Sequence, residues 1–85
     1  MQGSAPKIEG PSSAIPGSTI TVKVEGGKEV AVMFPGNGKP MKLPVRDGKV
    51  DIKIPAELRP GSLVSVIISD VIPPPGIAVE VVAHI

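Results

Sequence analysis

The chain is almost without aromatic side chains and entirely without cysteine. Phe34 is the only aromatic residue among 85, because Trp and Tyr are absent. Sugars, nucleobases and quaternary amines are usually bound by stacking on flat side chains, so carbohydrate and single-strand binding lose their usual chemistry here. The absence of cysteine excludes disulfides, thiolate catalysis and the soft ligands of structural zinc. A chain this short therefore depends on its apolar core alone or on neighbouring domains.

An excess of charge of one sign and long apolar runs are also lacking. Nine Lys and Arg against eight Asp and Glu leave a net charge of +1, which provides no attraction for nucleic acid or an anionic membrane. No run approaches the roughly 20 apolar residues that span a bilayer, and no basic start with an apolar stretch marks a signal peptide. We therefore expect neither nucleic-acid binding nor membrane insertion.

Proline and glycine are abundant instead. Eleven prolines and ten glycines punctuate the chain at intervals of roughly 8 to 12 residues, with short β-branched runs between them. This density excludes helices of ordinary length. The pattern predicts an all-β sandwich of about seven antiparallel strands in two sheets. Residues 1–5 are typical of an expression remnant or a linker, which would make this a piece of a longer protein, and residues 6–85 form one predicted domain.

The predicted strands follow runs in which apolar and polar residues alternate, most clearly at 50–54. They are Lys7–Glu9, Ser18–Glu25, Glu29–Phe34, Met41–Val45, Val50–Ile54, the strand within Pro60–Asp70, and Ile77–Val81. The predicted inward residues are Ile20, Val22, Val24, Val30, Val32, Phe34, Val50, Ile52, Ile54, Val64, Val66, Ile68, Ile77, Val79 and Val81. The ends of the sandwich are assigned to Ile8, Leu43, Val45, Leu58, Leu63 and Ile85.

Turn residues indicate how the strands are connected. Gly26-Gly27 predicts a tight reverse turn, and Asp47-Gly48 is a strong hairpin signal. The segment 55–61 is expected to cross between the sheets, with Leu58 beneath the corner. Pro44 favours an edge position for its strand. The strand at 29–34 is apolar on both faces, which predicts that a second layer or a neighbour covers it.

Two stretches of the chain share one sequence pattern. Pro16-Gly17-Ser18 and Pro60-Gly61-Ser62 are each followed, after one free position, by a β-branched residue, a hydroxyl residue and valine. We predict that each copy leads into the middle strand of one sheet. The alternative is that Pro-Gly turns simply recur in a proline-rich β-chain.

The run from Ile54 to Ser69 has the form Ile-Pro-x-x-Leu-x-Pro-Gly-x-x-x-x-Val. It resembles the corner before the penultimate strand of bacterial and archaeal immunoglobulin-like repeat domains, and 15–22 is similar to the opening of their second strand. The resemblance covers about residues 6 to 85. The family often has an aromatic residue near the position of Leu63, and this chain has none there. The resemblance implies a secreted or cell-surface protein in which such domains act as spacers, stalks or accessory modules.

Candidate catalytic and metal-binding residues are few. His84 is the only histidine, and no serine lies in a Gly-x-Ser-x-Gly elbow, so a Ser-His triad is not expected. Asp47, Asp51 and Asp70 lack the Asp-x-Asp spacing of an oxygen cage and are better explained as turn and strand-face residues. We predict no catalytic residues, no metal and no cofactor.

Two features could contact a partner. The basic stretch Lys39, Lys42, Arg46, Lys49 and Lys53 could hold an anionic polymer, although lysines on edge strands more often prevent sheet-to-sheet pairing. The loop Val71-Ile72-Pro73-Pro74-Pro75 places two large apolar residues beside a stiff extended segment. Either this loop docks on an adjacent domain or partner, or Ile72 caps the open end of the sandwich.

The sequence therefore predicts a non-catalytic spacer domain of a larger secreted or cell-surface protein. Its expected partners are neighbouring domains of the same polypeptide, and the isolated domain is expected to be a monomer. The alternative is a protein- or polymer-binding accessory module that acts through the loops at 35–40 and 71–76.

Overall fold

A computed structural model describes residues 6–36 and 38–83. That part of the chain is all-β, with no helix and eight strands. The strands are β1 (Lys7–Glu9), β2 (Ser13–Ala14), β3 (Thr19–Glu25), β4 (Glu29–Met33), β5 (Met41–Pro44), β6 (Lys49–Lys53), β7 (Leu63–Ile68) and β8 (Gly76–Val81). All seven predicted strands are present within about two residues of their predicted ends, and β2 is an eighth that the sequence did not predict.

The strands form a three-stranded sheet in the order β1-β3-β6 and a five-stranded sheet in the order β2-β8-β7-β4-β5. Every pairing is antiparallel except that of β2, which runs parallel to β8. The prediction of about seven antiparallel strands is therefore corrected on both points. β2 escapes detection because two residues between Pro11 and Pro16 carry no periodicity of their own.

The core lies between the two sheets and is built from alternate residues of each strand. All fifteen predicted inward residues are buried except Ile77, which is partly buried against the others. Ile8 is buried, and Leu43, Val45 and Leu58 pack against the core as predicted, whereas Ile85 lies outside the described residues. Leu63 was assigned wrongly. Its side chain is 57% exposed because Val64, not Leu63, begins the inward set of β7.

The repeated Pro-Gly-Ser sequence pattern corresponds to a repeated structure. β3 and β7 are each the middle strand of their sheet, as predicted. Gly17 and Gly61 have φ of 85° and 95°, the conformation of the third residue of a type II turn. In both copies the Ser N–H donates to the carbonyl three residues earlier, at 3.1 and 3.2 Å.

The two turns are also tied to the neighbouring strand in the same way. The Gly17 N–H donates to the Ile54 carbonyl and the Ile54 N–H to the Ser18 carbonyl, both at 2.8 Å. In the second copy, the Gly61 N–H donates to the Val81 carbonyl at 2.7 Å and the Val81 N–H to the Ser62 carbonyl at 2.8 Å. One local sequence thus specifies the same turn and the same ladder start in both sheets.

Turn chemistry predicted where the chain reverses but not which strands it joins. Asp47 and Gly48 occupy a tight turn with φ of 53° and 72°. Arg46 and Lys49 exchange hydrogen bonds across it at 3.0 and 2.9 Å. The flanking strands are nevertheless in different sheets, so this turn is not a hairpin between β5 and β6. Gly26 and Gly27 likewise carry the chain from β3 to β4 in the other sheet.

Candidate binding surface

The outer face of the three-stranded sheet is covered with charge. The register places Lys7 opposite Glu25, Glu9 opposite Lys23 and Thr21 opposite Asp51 on this face. Lys7 Nζ lies 2.9 Å from Glu9 Oε2, and the Thr21 hydroxyl donates to Asp51 Oδ1 at 2.8 Å. A sheet face of alternating charges and hydroxyls is well solvated and has no need of a covering layer.

The outer face of the five-stranded sheet is apolar at its centre. Met33 on β4 lies opposite Ser65 on β7, and Ala31 lies opposite Ile67. With Pro40, these four residues line a shallow cavity of about 120 Å³. Leu63, Met33 and Ile67 are 57%, 48% and 36% exposed. Exposed apolar patches of this kind are often interaction sites. We call this surface the apolar face.

The amino-acid sequence indicates only part of this surface. The strand at 29–34 was recognised as apolar on both sides, and its inner side is covered by the other sheet as predicted. On its outer side Ala31 is buried by its neighbours while Met33 is exposed. A matching signal is present in β7, where Leu63 and Ile67 lie on the outward positions of an apolar run. Only the register of β4 with β7 brings these positions together.

The free edge of β5 is poor in backbone donors for strand addition. The Val45 N–H donates to the Lys28 carbonyl at 2.9 Å, so alternate residues of β5 direct their backbone groups toward β4. By the same alternation, residues 40, 42 and 44 direct theirs outward. Pro40 and Pro44 have no N–H, which leaves Lys42 as the single outward donor of this segment. A partner strand could make few backbone hydrogen bonds with this edge. The apolar face is therefore the better candidate for a binding surface.

The loop at 71–75 is held firmly at its base. The Lys28 N–H donates to Asp70 Oδ2 at 3.0 Å, and this bond holds the pKa of Asp70 below its usual range. The Ser69 hydroxyl donates to Glu29 Oε1 at 2.9 Å. Ile72 is 94% exposed. The expectation that Ile72 caps the end of the sandwich is therefore wrong, while contact of Val71, Ile72 and Pro73–Pro75 with a partner stays a prediction.

The two loops through which the alternative binding module would act, at 35–40 and 71–76, are far apart. The loop at 34–40 follows the end of β4, and the loop at 69–75 follows the end of β7. β4 and β7 are antiparallel neighbours, with Met33 opposite Ser65 and Val30 opposite Ile68. The two loops thus lie at opposite ends of the sandwich and cannot form one site. Asn37 is outside the described residues.

The basic stretch does not form one patch either. Lys42 lies on the outer side of the five-stranded sheet, whereas Lys49 and Lys53 lie on the outer side of the other sheet. Between the edges of β5 and β6 is an open cleft of about 380 Å³ whose charged lining residues are Arg46, Lys49, Asp47 and Asp51. Equal numbers of positive and negative groups give this cleft no preference for an anionic polymer.

The acidic residues have structural roles. Asp47 occupies a turn, Asp51 accepts from Thr21, and Asp70 accepts from Lys28. Across residues 6–36 and 38–83 no three His, Asp or Glu side chains are grouped so that they could hold a metal ion. His84 lies outside the described residues. The described chain also contains no helix long and apolar enough to cross a membrane.

Comparison with known proteins gave no match: no family model, no curated protein and no solved structure is significantly similar to this chain.

Proposed function

We propose that this chain is a non-catalytic immunoglobulin-like domain that acts as a spacer within a larger secreted or cell-surface protein. The strand order supports the fold assignment. If the strands are named A, A′, B, C, C′, E, F and G in chain order, the sheets read A-B-E and A′-G-F-C-C′. Immunoglobulin-like sandwiches divide their strands in this way, with B and E in one sheet and G, F and C in the other.

The observation that carries the spacer proposal is the path of the chain through the sandwich. Pro6 lies beside Gly26, at the end where β3 turns into β4. Val81 lies beside Ser62 at the start of β7, which is the opposite end. The described chain therefore enters at one end of the strands and leaves at the other. This is the geometry that adds length when domains follow one another in a polypeptide.

The dimensions agree with this role. The molecule measures 45 × 26 × 18 Å along its three principal axes. A five-stranded sheet is about 24 Å wide and packed sheets lie about 10 Å apart, so the longest dimension runs along the strands. In a linear array, each copy would increase the total length by at most 45 Å.

A concatemer tests the spacer proposal. One, two and three copies of the chain, joined directly end to end, are compared by small-angle X-ray scattering. A spacer predicts a maximum dimension that increases nearly linearly with copy number, by up to 45 Å for each copy. A maximum dimension that increases only slowly with copy number, as it does when the copies pack into one compact particle, would contradict the spacer proposal.

A second function is supported by the apolar face. We infer that this face docks on a protein surface, whereas the sequence predicts binding through the loops at 35–40 and 71–76. The support is the contrast between the two outer faces, since one chain leaves Met33, Leu63 and Ile67 exposed on one side and charges on the other. Loss of binding to a neighbouring domain on Ile67→Asp, with folding retained, is the expected result. Unchanged binding would argue against this face.

A further inference from the structure

The apolar face carries unlike charges at two diagonal corners. Lys42 on β5 lies opposite Ala31, which is opposite Ile67. Glu80 on β8 lies opposite Leu63. Neither Lys42 nor Glu80 has an ion-pair partner within the described residues. Glu29, the other acid on this side, is engaged by Ser69. The two corner charges therefore remain for a partner.

We propose that the apolar face binds the same face of a second copy of this chain, forming a weak two-fold symmetric dimer. The proposal rests on the docking function inferred above and names its partner. In a two-fold interface the same patch is used by both copies, so residue i contacts j and j contacts i. A base and an acid at opposite corners satisfy this condition, because Lys42 of each copy meets Glu80 of the other.

The register determines how the two sheets cross. β5 and β8 are three strand spacings apart, about 14 Å, and the offset along the strands from Leu63 to Ile67 is four residues, about 13 Å. Since these offsets are nearly equal, the line from Lys42 to Glu80 makes an angle of about 45° with the strands. A two-fold axis that exchanges the corners must be perpendicular to that line. The strands of the two copies then cross at about 90°, one of the two usual sheet-packing angles.

The same operation matches large side chains with small ones. It places Met33 near the axis, where it meets its own symmetry mate. It places Ile67 over the small residues Gly76 and Ala78 of the second copy, and Leu63 over Pro40 of the second copy. Protruding side chains thus face flat parts of the sheet, which is the complementarity that an interface core needs.

The size of the apolar face predicts a weak dimer. The five strands are two to six residues long and about 4.8 Å apart, so the whole outer face of the sheet covers roughly 350 Å² on each partner. Stable interfaces bury about 800 Å² on each partner, and smaller ones belong to transient complexes. We therefore expect rapid exchange between monomer and dimer, whereas the sequence predicts a monomer.

Sedimentation equilibrium of the unmodified chain tests the proposal. The average mass is expected to increase from near 8.7 kDa at about 10 µM toward twice that value at about 1 mM. Met33→Asp places two like charges at the axis and should abolish the increase. Thr19→Asp, a change at an exposed position on the outer face of the other sheet, is the control and should leave it intact. Thermal unfolding of each variant confirms that it folds.

Charge reversal tests the two-fold geometry. Lys42→Glu alone and Glu80→Lys alone each replace two attractions by two repulsions, so each should weaken self-association about tenfold or more. The double variant should restore it. An equimolar mixture of the two single variants should form heterodimers, because each then supplies the charge that the other lacks.

Each outcome decides the question. A mass that stays at 8.7 kDa up to about 1 mM overturns the proposal, as does a dimer that Met33→Asp does not disrupt. Single reversals without effect, or a mixture no stronger than its components, overturn the corner pairing. If the chain stays monomeric, docking on a different protein is still tested by the Ile67→Asp experiment. The spacer proposal is tested separately by the concatemer, so the failures of the three proposals are distinguishable.

Discussion

Glycine at position 61 is required by backbone conformation and not by space. Gly61 has φ of 95°, and a Cβ added there would meet no atom within 4 Å. Gly61→Ala should therefore cost only left-handed strain, about 1–2 kcal/mol of unfolding free energy. Gly38→Ala is the matched control, since a Cβ is equally unhindered there and φ lies outside the left-handed region. Chemical denaturation measures both, and equal stabilities would contradict the assignment of the turn.

Asp70 couples the stability of the loop base to pH. Its pKa is lowered because the Lys28 N–H stabilises the charged carboxylate. A lowered folded-state pKa gives stabilisation that is complete above the unfolded-state pKa and is lost as pH falls through the folded-state pKa. Asp70→Ala should therefore be less stable than the unmodified chain at neutral pH, and the difference should shrink below about pH 4. Denaturant melts at both pH values check this, and a constant difference would count against it.

The exposure of Ile72 makes a simple prediction. Ile72→Asp removes an apolar side chain that is 94% exposed, so the unfolding free energy should change by no more than about 0.5 kcal/mol. Thermal and denaturant unfolding measure the change. A loss of more than about 1 kcal/mol would show that Ile72 stabilises the sandwich after all.

At the scale of elements, β7 presents two different faces. Ile68 is fully buried, whereas Leu63 in the same strand is 57% exposed. Ile68→Ala should cost about 2–5 kcal/mol of unfolding free energy, because it leaves a cavity in the core. Leu63→Ala should cost less than about 1 kcal/mol. Equal losses from the two variants would mean that the register of β7 is different.

Local signals explain what the sequence predicts well. β3 and β7 were recognised because alternation and the Pro-Gly-Ser turn are contained within a few residues, and each strand occupies the centre of its sheet. The Asp47-Gly48 turn is also predicted correctly, but the strands on its two sides, β5 and β6, belong to different sheets and do not form a hairpin. Turn chemistry fixes the reversal of the chain, whereas the pairing of a strand depends on distant strands.

The apolar face was largely missed for the same reason. Met33 and Ile67 are far apart in the sequence, and only the register between β4 and β7 makes them neighbours. The composition of the loop at 71–75, in contrast, is a local signal, and for that reason the sequence points to this loop. β2 was missed because its parallel pairing with β8 is specified by the fold and not by its two residues.

At the scale of the whole molecule, the account is that of an elongated sandwich through which the chain passes lengthwise. The three-stranded sheet has a charged outer face, and the five-stranded sheet has an apolar one. The first property suits solvent and the second suits a protein surface. A spacer of the kind that we propose, with one apolar side, would both add length to a polypeptide and contact the protein beside it.

The central claim, that the chain enters and leaves at opposite ends, can be measured on a single copy. The chain has no cysteine, so Lys7→Cys and Ala83→Cys introduce two unique sites for spin labels. Pulsed electron paramagnetic resonance should give a distance of about 25–35 Å between the labels, because the strands separate the two ends and rise about 3.3 Å per residue. A distance below about 15 Å, as expected if both ends lay at one end of sheets about 10 Å apart, would contradict the account.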